Sequence, residues 1–314
     1  MGPEHGDDKV KDRAAAPWLH TFLIIFSGQA FSLLGSSAVN FALIWWLTAK
    51  TGSPSVLAYA AVAGLLPQAV VGPFAGPFVD RWDRRMSMIV ADLLIAATSV
   101  VLIALFVAGV PSITSIIVVL AARSVGAAFH TPASQAAVPM YVPQDQLMRV
   151  AGWNFFLGSG VAMAGPVLGA FLMGVAPMTV VIGLDIAGAL IAVVSLLLVT
   201  IPHPERPPGE VEVRGVVAEL AEGWRELLRH RGLFWLTVMI TVVTLLYMPL
   251  NALFPLMTFA HFGGDAFDAG IIELAFGAGM LLGSLALGLL ARRFSAVGMG
   301  AAGIMLVGLM LAGS

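Results

Sequence analysis

Three carboxylic acids lie deep inside apolar stretches of this chain: Asp92, Asp185 and Glu273. Two bases, Arg123 and His130, share such a stretch with each other. A carboxyl in apolar surroundings can take up a proton, release it, or recognise a cation. An arginine in the same setting costs about 2.5–3.5 kcal/mol and must find a carboxylate, a carbonyl or water. At 100° per residue, Arg123, His130 and Ser134 fall on one helix face. That stripe is open to two readings: a structural ion pair, or a cation facing a cavity where it meets substrate or senses the proton of a nearby acid. Asp185 and Glu273 each lie about two turns from the outer end of their stretches, and Asp92 about two turns from the inner end. Asp185 and Glu273 are each either a proton or cation site or one end of an interhelical hydrogen bond, and Asp92 is either a coupling site or part of the charge network of the loop just before its stretch.

Uncharged polar groups follow the same period. Gln29, Ser32, Ser36 and Asn40 share a face of one apolar segment, and Thr237, Thr241, Thr244 and Asn251 a face of another. In lipid such groups would lack partners, so both stripes are expected to face a bundle interior or a water-filled cavity. Gly158, Ala162, Gly165 and Gly169 form a small-residue stripe with Pro166 inside it. It reads either as a sliding contact between two halves of the molecule or as ordinary close packing. Pro249 and Pro255 predict a break or kink in their helix.

The elements that must hold these groups are membrane helices. Apolar residues make up 59% of the 314 and charged residues 11%, against roughly 25% charged in a soluble domain. A crossing needs about 20 apolar residues. Segments near 20–47, 55–79, 87–109, 112–137, 152–174, 177–200, 233–259, 266–290 and 296–314 meet that need. Of the sixteen lysines and arginines, fourteen fall on one side of this topology, Lys50 falls on the other and Arg123 lies within a span. The bias places the N-terminus inside the cell.

The chain divides into a cytoplasmic tail (1–19), a six-helix bundle (20–200), a cytoplasmic linker (201–232) and a partial second bundle (233–314). Four prolines between Ile201 and Gly209 exclude a regular helix there. After them, Val213, Val216, Val217, Leu220, Trp224, Leu227 and Leu228 recur at helical spacing. This amphipathic helix either lies on the inner membrane surface or packs on cytoplasmic helix ends. The last apolar segment stops at Ser314 without a polar flank, so the expectation is a chain lacking about three further helices. A nine-span protein is the alternative.

One short loop carries five charges in six residues: Asp80, Arg81, Asp83, Arg84 and Arg85, preceded by Gly72 and Gly76. The two glycines are expected to let the second span lie close to a neighbour. This loop resembles the second-to-third helix loop of the major facilitator superfamily. The likeness extends over the whole chain. It is carried by Gly28 to Ser36 and Phe41 to Trp45 in the first span, Arg123 to Gly126 in the fourth with Pro132 to Pro139 after it, and Gly165-Pro166-Val-Leu-Gly169 in the fifth. Asp83 departs from the glycine usual at its position. The nearest branch is similar to macrolide efflux proteins and the enterobactin exporter.

The resemblance implies an all-α integral membrane protein of the major facilitator fold, in a bacterial-type plasma (inner) membrane. The implied activity is secondary export of a small amphipathic, drug-like molecule by alternating access. A proton gradient would supply the energy, with no cofactor. Gly76, Asp80, Arg81, Arg84 and Arg85 would then belong to a cytoplasmic gate, in which Asp80 and Arg84 pair with helix ends of the other half. Gly165, Pro166 and Gly169 would belong to the moving contact. Substrate or proton coupling would fall to Gln29, Asn40, Asp92, Arg123, His130, Asp185, Asn251 and Glu273. A siderophore or metabolite exporter of the same fold, or a non-transporting receptor or scaffold, are the alternatives. The expected partners are a small-molecule substrate and the lipid bilayer, and the expected assembly is a monomer. A net charge of −2 argues against nucleic acid, and the absence of cysteine excludes disulfides. No phosphate-binding loop and no cluster with metal-ligand spacing is found, so neither an ATP-driven nor an enzymatic reading is supported.

Overall fold

A computed structural model describes residues 7–201 and 216–290, together with 303 and 305. The described chain is helical. The helices are α1 (Asp7–Thr51), α2 (Pro54–Arg81), α3 (Arg84–Val107), α4 (Ile113–Tyr141), α5 (Leu147–Val175), α6 (Met178–Leu198), α7 (Val216–Arg229), α8 (Arg231–Ala260) and α9 (Ala266–Leu290). Seven described helices are long and apolar enough to cross a membrane. The expected span at 296–314 and the proline-rich start of the linker fall outside the described residues, apart from positions 303 and 305.

Short, well-capped turns make neighbouring helices antiparallel. Between α3 and α4, Gly109 takes φ +71°, and Ser112 and Ser115 cap the start of α4 reciprocally. Between α2 and α3 the cap is Asp83, whose carboxylate accepts from the backbone N–H groups of Arg85 (2.9 Å) and Met86 (3.3 Å). The residue that departs from the family pattern therefore starts α3. Of the break or kink expected in the seventh span, the break does not occur, because α8 runs unbroken through Pro249 and Pro255. A long helix absorbs a proline where only one backbone bond is lost and the rest of the ladder persists.

The first six helices pack as one body. α1 lies against α5 and α6, α3 against α4 and α6, and α2 against α4. Its interior is layered. Toward the outer side Val39, Leu43, Leu102, Ile116, Leu120 and Ile182 form one apolar cluster. Toward the cytoplasm Ile25, Val79, Met88, Ala133 and Leu196 anchor a second. Between the two layers lie the buried Gln29, Ser32, Asp92, Ser99, Arg123, His130 and Asp185.

Glycines set how closely these helices approach. A Cβ on Gly35 of α1 would stand 2.9 Å from the Asp185 Cα, and one on Gly188 of α6 would stand 2.6 Å from the Phe31 carbonyl oxygen. The α1–α6 crossing is therefore a backbone-to-backbone contact. On α5, Gly165 and Gly169 approach Ser37 and Ala38 of α1. This close face serves the first half internally, not a contact between halves, because α1 occupies the space that the glycines vacate. The contact with the second half uses the glycines of α9. Gly270 lies against Ala170 and Pro166, and Gly277 against Met163.

These contacts between halves gather toward the outer side. Trp45 of α1 meets Phe259 of α8 edge to face at 6.0 Å, and Leu256 packs on the outer apolar cluster. Near the cytoplasmic end of α5, by contrast, residues 151–156 are exposed, and a Cβ on Gly152 or Gly158 would meet nothing within 4 Å.

Candidate functional site: a polar column inside the first bundle

Arg123 and His130 sit seven residues, two turns, apart on α4 and face the same way. Around them the bundle places two buried acids, each gripped from α1.

The outer cluster centres on Asp185 of α6, which is fully buried. Ser36 donates to its Oδ1 at 2.6 Å. Arg123 Nη1 donates to its Oδ2 at 2.6 Å, and Ser99 of α3 donates to the same oxygen. Arg123 Nη1 also reaches the Ser99 hydroxyl oxygen at 2.8 Å. Arg123 is 8% exposed, and in this structure its guanidinium is the ion-pair partner of Asp185. The close approach of Gly35 to the Asp185 backbone is what brings this carboxylate within reach of α1.

The inner cluster centres on Asp92 of α3. Gln29 Nε2 donates to Oδ2 at 3.2 Å, and Ser32 donates to Oδ1 at 3.4 Å. His130 Nε2 stands 3.6 Å from Oδ1, near enough for an ion pair and too far for a hydrogen bond. All four residues are buried. Two buried atoms here, His130 Nε2 and Gln29 Oε1, have no hydrogen-bond partner among the described residues.

The stripe on α1 is thereby split. Gln29, Ser32 and Ser36 bind acids within the first bundle, while Asn40 is exposed. The stripe on α8 makes no such bonds. Thr237, Thr241 and Thr244 donate to carbonyls four residues back, and Asn251 is exposed. On α9, Glu273 is half-buried and has no hydrogen bond or ion pair among the described residues.

The charged loop closes the cytoplasmic end of the column. Arg85 donates through Nε to the Leu196 carbonyl (2.7 Å) and through Nη2 to the Leu197 carbonyl (3.0 Å), in the last turn of α6. Those carbonyls lack helix partners and carry the negative end of the helix dipole. Arg84 donates to the Ala136 carbonyl of α4 at 3.2 Å. Arg85 thus holds the end of α6, and Arg84 reaches a carbonyl in the cytoplasmic part of α4. The side chains of Asp80 and Arg81 lie outside the described residues. Gly76, expected to admit a neighbouring helix, has no atom within 4 Å of its would-be Cβ among the described residues, and neither has Gly72. Beside the loop, a cavity of about 390 Å³ opens between α3 and α4, lined chiefly by Met86, Val90, Leu94, Val125 and Phe129. Neither acid of the polar column, nor Arg123 or His130, lines it.

Sequence reasoning missed Ser99. The signal was present, since Ser99 follows Asp92 by seven residues and so shares its face of α3.

A polytopic helical bundle with ion pairs sealed in its interior and a basic loop at its cytoplasmic end is the frame of a membrane transporter. The chain belongs to the major facilitator superfamily, whose family profile matches residues 25–314. It is 41% identical over 273 residues to macrolide efflux protein A of Streptococcus pyogenes, covering 87% of this chain and 67% of that protein. It is 25% identical over 289 residues to the multidrug efflux pump Tap of Mycobacterium tuberculosis, covering 87% and 66%. Among solved structures it is similar in fold to a bacterial homologue of the human lysosomal transporter Spinster, captured inward-facing and unoccupied. The TM-score is 0.61 at 14% identity, over 89% of this chain and 64% of that one. The chain thus spans about two thirds of the length of the proteins it matches. It is a multi-pass protein of the bacterial inner membrane.

Proposed function

We propose that this chain forms the greater part of a secondary exporter of amphipathic, drug-like compounds of the macrolide type, driven by proton antiport. The observation that carries the reading is 41% identity to macrolide efflux protein A across 87% of the chain. The geometry is compatible with it. The inner end of α5 stands exposed while the outer ends of the halves touch, which suits a cavity loaded from the cytoplasm. Alternating access then requires the α5–α9 and α1–α8 contacts to part. Glu273, half-buried and without a described partner, suits recognition of the basic amine that macrolides carry. The charged loop, with Asp80 and Arg84, serves as the cytoplasmic gate.

The test is transport by the full-length protein in inside-out proteoliposomes. With a pH gradient imposed, acid within, radiolabelled erythromycin is expected to accumulate, and a protonophore to abolish accumulation. No gradient-dependent movement of any macrolide or cationic dye would overturn the reading.

A further inference from the structure

The two buried acids of the column are held very differently. Both oxygens of Asp185 are occupied by bonds of normal or short length, one of them from a guanidinium. Arginine does not give up its proton in a protein. Adding a proton to Asp185 would leave Arg123 as a buried, uncompensated charge. This pair is a fixed neutral unit.

Among the described residues no fixed cation answers Asp92. Its donors are a neutral amide and a neutral hydroxyl at 3.2 and 3.4 Å. The base that faces it is His130, whose Nε2 makes no hydrogen bond although only 9% of the residue is exposed. Gln29 Oε1, on a residue 6% exposed, is also unpartnered. Loose bonds and unpartnered buried atoms mark a site that changes occupancy. We propose that the Asp92–His130 pair carries the coupling proton, an inference that rests on the antiport reading above.

The charge balance supports one proton. Without it, the site holds one buried negative charge. With it, a proton from water adds to the imidazole lone pair, Nε2–H donates to Asp92 Oδ1, and the pair becomes neutral. Release returns the proton to water and restores the open pair. A proton held instead on the carboxyl gives the same net charge.

The neighbouring groups leave this balance to the pair. On α3 the nearest charges are Arg84 and Arg85 with the capping Asp83, about two turns toward the cytoplasm; both arginines are bonded to carbonyls of α4 and α6. On α4, Arg123 is committed to Asp185, the sole charge on α6. From α1 only Gln29 and Ser32 reach the pair; its charges are Asp7, Asp8, Lys9, Lys11, Asp12 and Arg13 in the first two turns and Lys50 in the last, with His20 nine residues before Gln29. On α2 the charges are Asp80 and Arg81, at its cytoplasmic end.

Infrared difference spectra of the full-length protein in lipid, taken between acid and alkaline buffer, read the proton without substrate. Above the signal of the exposed acids and histidines, a protonated-carboxyl or imidazolium component is expected that is missing from both Asp92→Asn and His130→Gln and retained in Glu273→Gln. In proteoliposomes, the first two variants are expected to lose gradient-driven erythromycin accumulation down to the level a protonophore leaves, and to keep gradient-free exchange of labelled drug. Spectra of both variants that match the wild type, or accumulation that persists in both, overturn the assignment. Should Asp92→Asn fail to fold, as judged by size exclusion, His130→Gln alone decides in the same way. If the wild type moves no macrolide while the component is missing from the variants as expected, the export reading fails and the proton site stands.

Discussion

On α1, Gln29, Ser32 and Ser36 send their hydrogen bonds to acids on α3 and α6. On α8, Thr237, Thr241 and Thr244 return theirs to their own helix. The two stripes have the same period and similar polarity. What differs is the opposing surface. α1 lies against α5 and α6 through glycines, so its polar face has buried acids within reach. The α8 threonines are exposed, and a hydroxyl there meets its need by back-bonding to the carbonyl at i−4. A polar stripe becomes a network only where a neighbouring helix supplies acceptors.

The sharpest way to break this contrast is at the centre of the α1 network. Arg123→Ala leaves Asp185 as an unpaired charge in the core, at an expected cost of about 3–5 kcal/mol. The thermal midpoint of the purified protein in detergent should fall steeply. Combining Arg123→Met with Asp185→Leu should recover most of the loss, since an apolar pair of similar volume needs no desolvation. A small effect of Arg123→Ala would mean that water or lipid headgroups already reach the pair, and that the column is not sealed.

The next effect tests why α1 has acceptors within reach at all. Gly188→Val places a Cβ 2.6 Å from the Phe31 carbonyl oxygen, a backbone atom that cannot turn aside. Overpacking of this kind costs about 1–3 kcal/mol, and here it should also loosen the Ser36–Asp185 bond. Gly183→Ala, on the same helix, meets nothing within 4 Å and should gain up to about 1 kcal/mol from helix propensity. Equal midpoints for the two variants would show that the crossing is not close-packed.

Much of this frame is written in local pattern. Apolar runs mark the spans, and the excess of arginine on one side sets their direction. The seven-residue spacing of Arg123 and His130 puts both on one face of α4. Periodicity shows which residues share a face, but not which helix lies opposite. Asp185 is 62 positions from Arg123, and nothing local joins them. The pairing depends on α6 crossing α1 at Gly35 and Gly188, which is a property of the packed bundle. The same limit explains Gly165 and Gly169. Their close face was evident, but the helix that fills it is α1 of the same half. For Asp83, a superfamily expectation of glycine obscured a local signal, because an aspartate just before an apolar helix is a common N-cap.

The smallest expected effect is the most direct comparison of the two stripes. Ser36→Ala removes the donor to Asp185 Oδ1 and leaves a buried charged oxygen short of one bond, at about 1.5 kcal/mol. Thr241→Val removes a hydroxyl that is exposed and back-bonded, and should stay within about 0.5 kcal/mol. Each variant deletes one hydroxyl, so thermal midpoints measured side by side isolate the acceptor rather than the donor. A lower midpoint for Ser36→Ala alone ties the α1 stripe to the charge network. Matching midpoints would mean that Arg123 and Ser99 satisfy Asp185 without help, leaving Ser36 as dispensable as the threonines of α8.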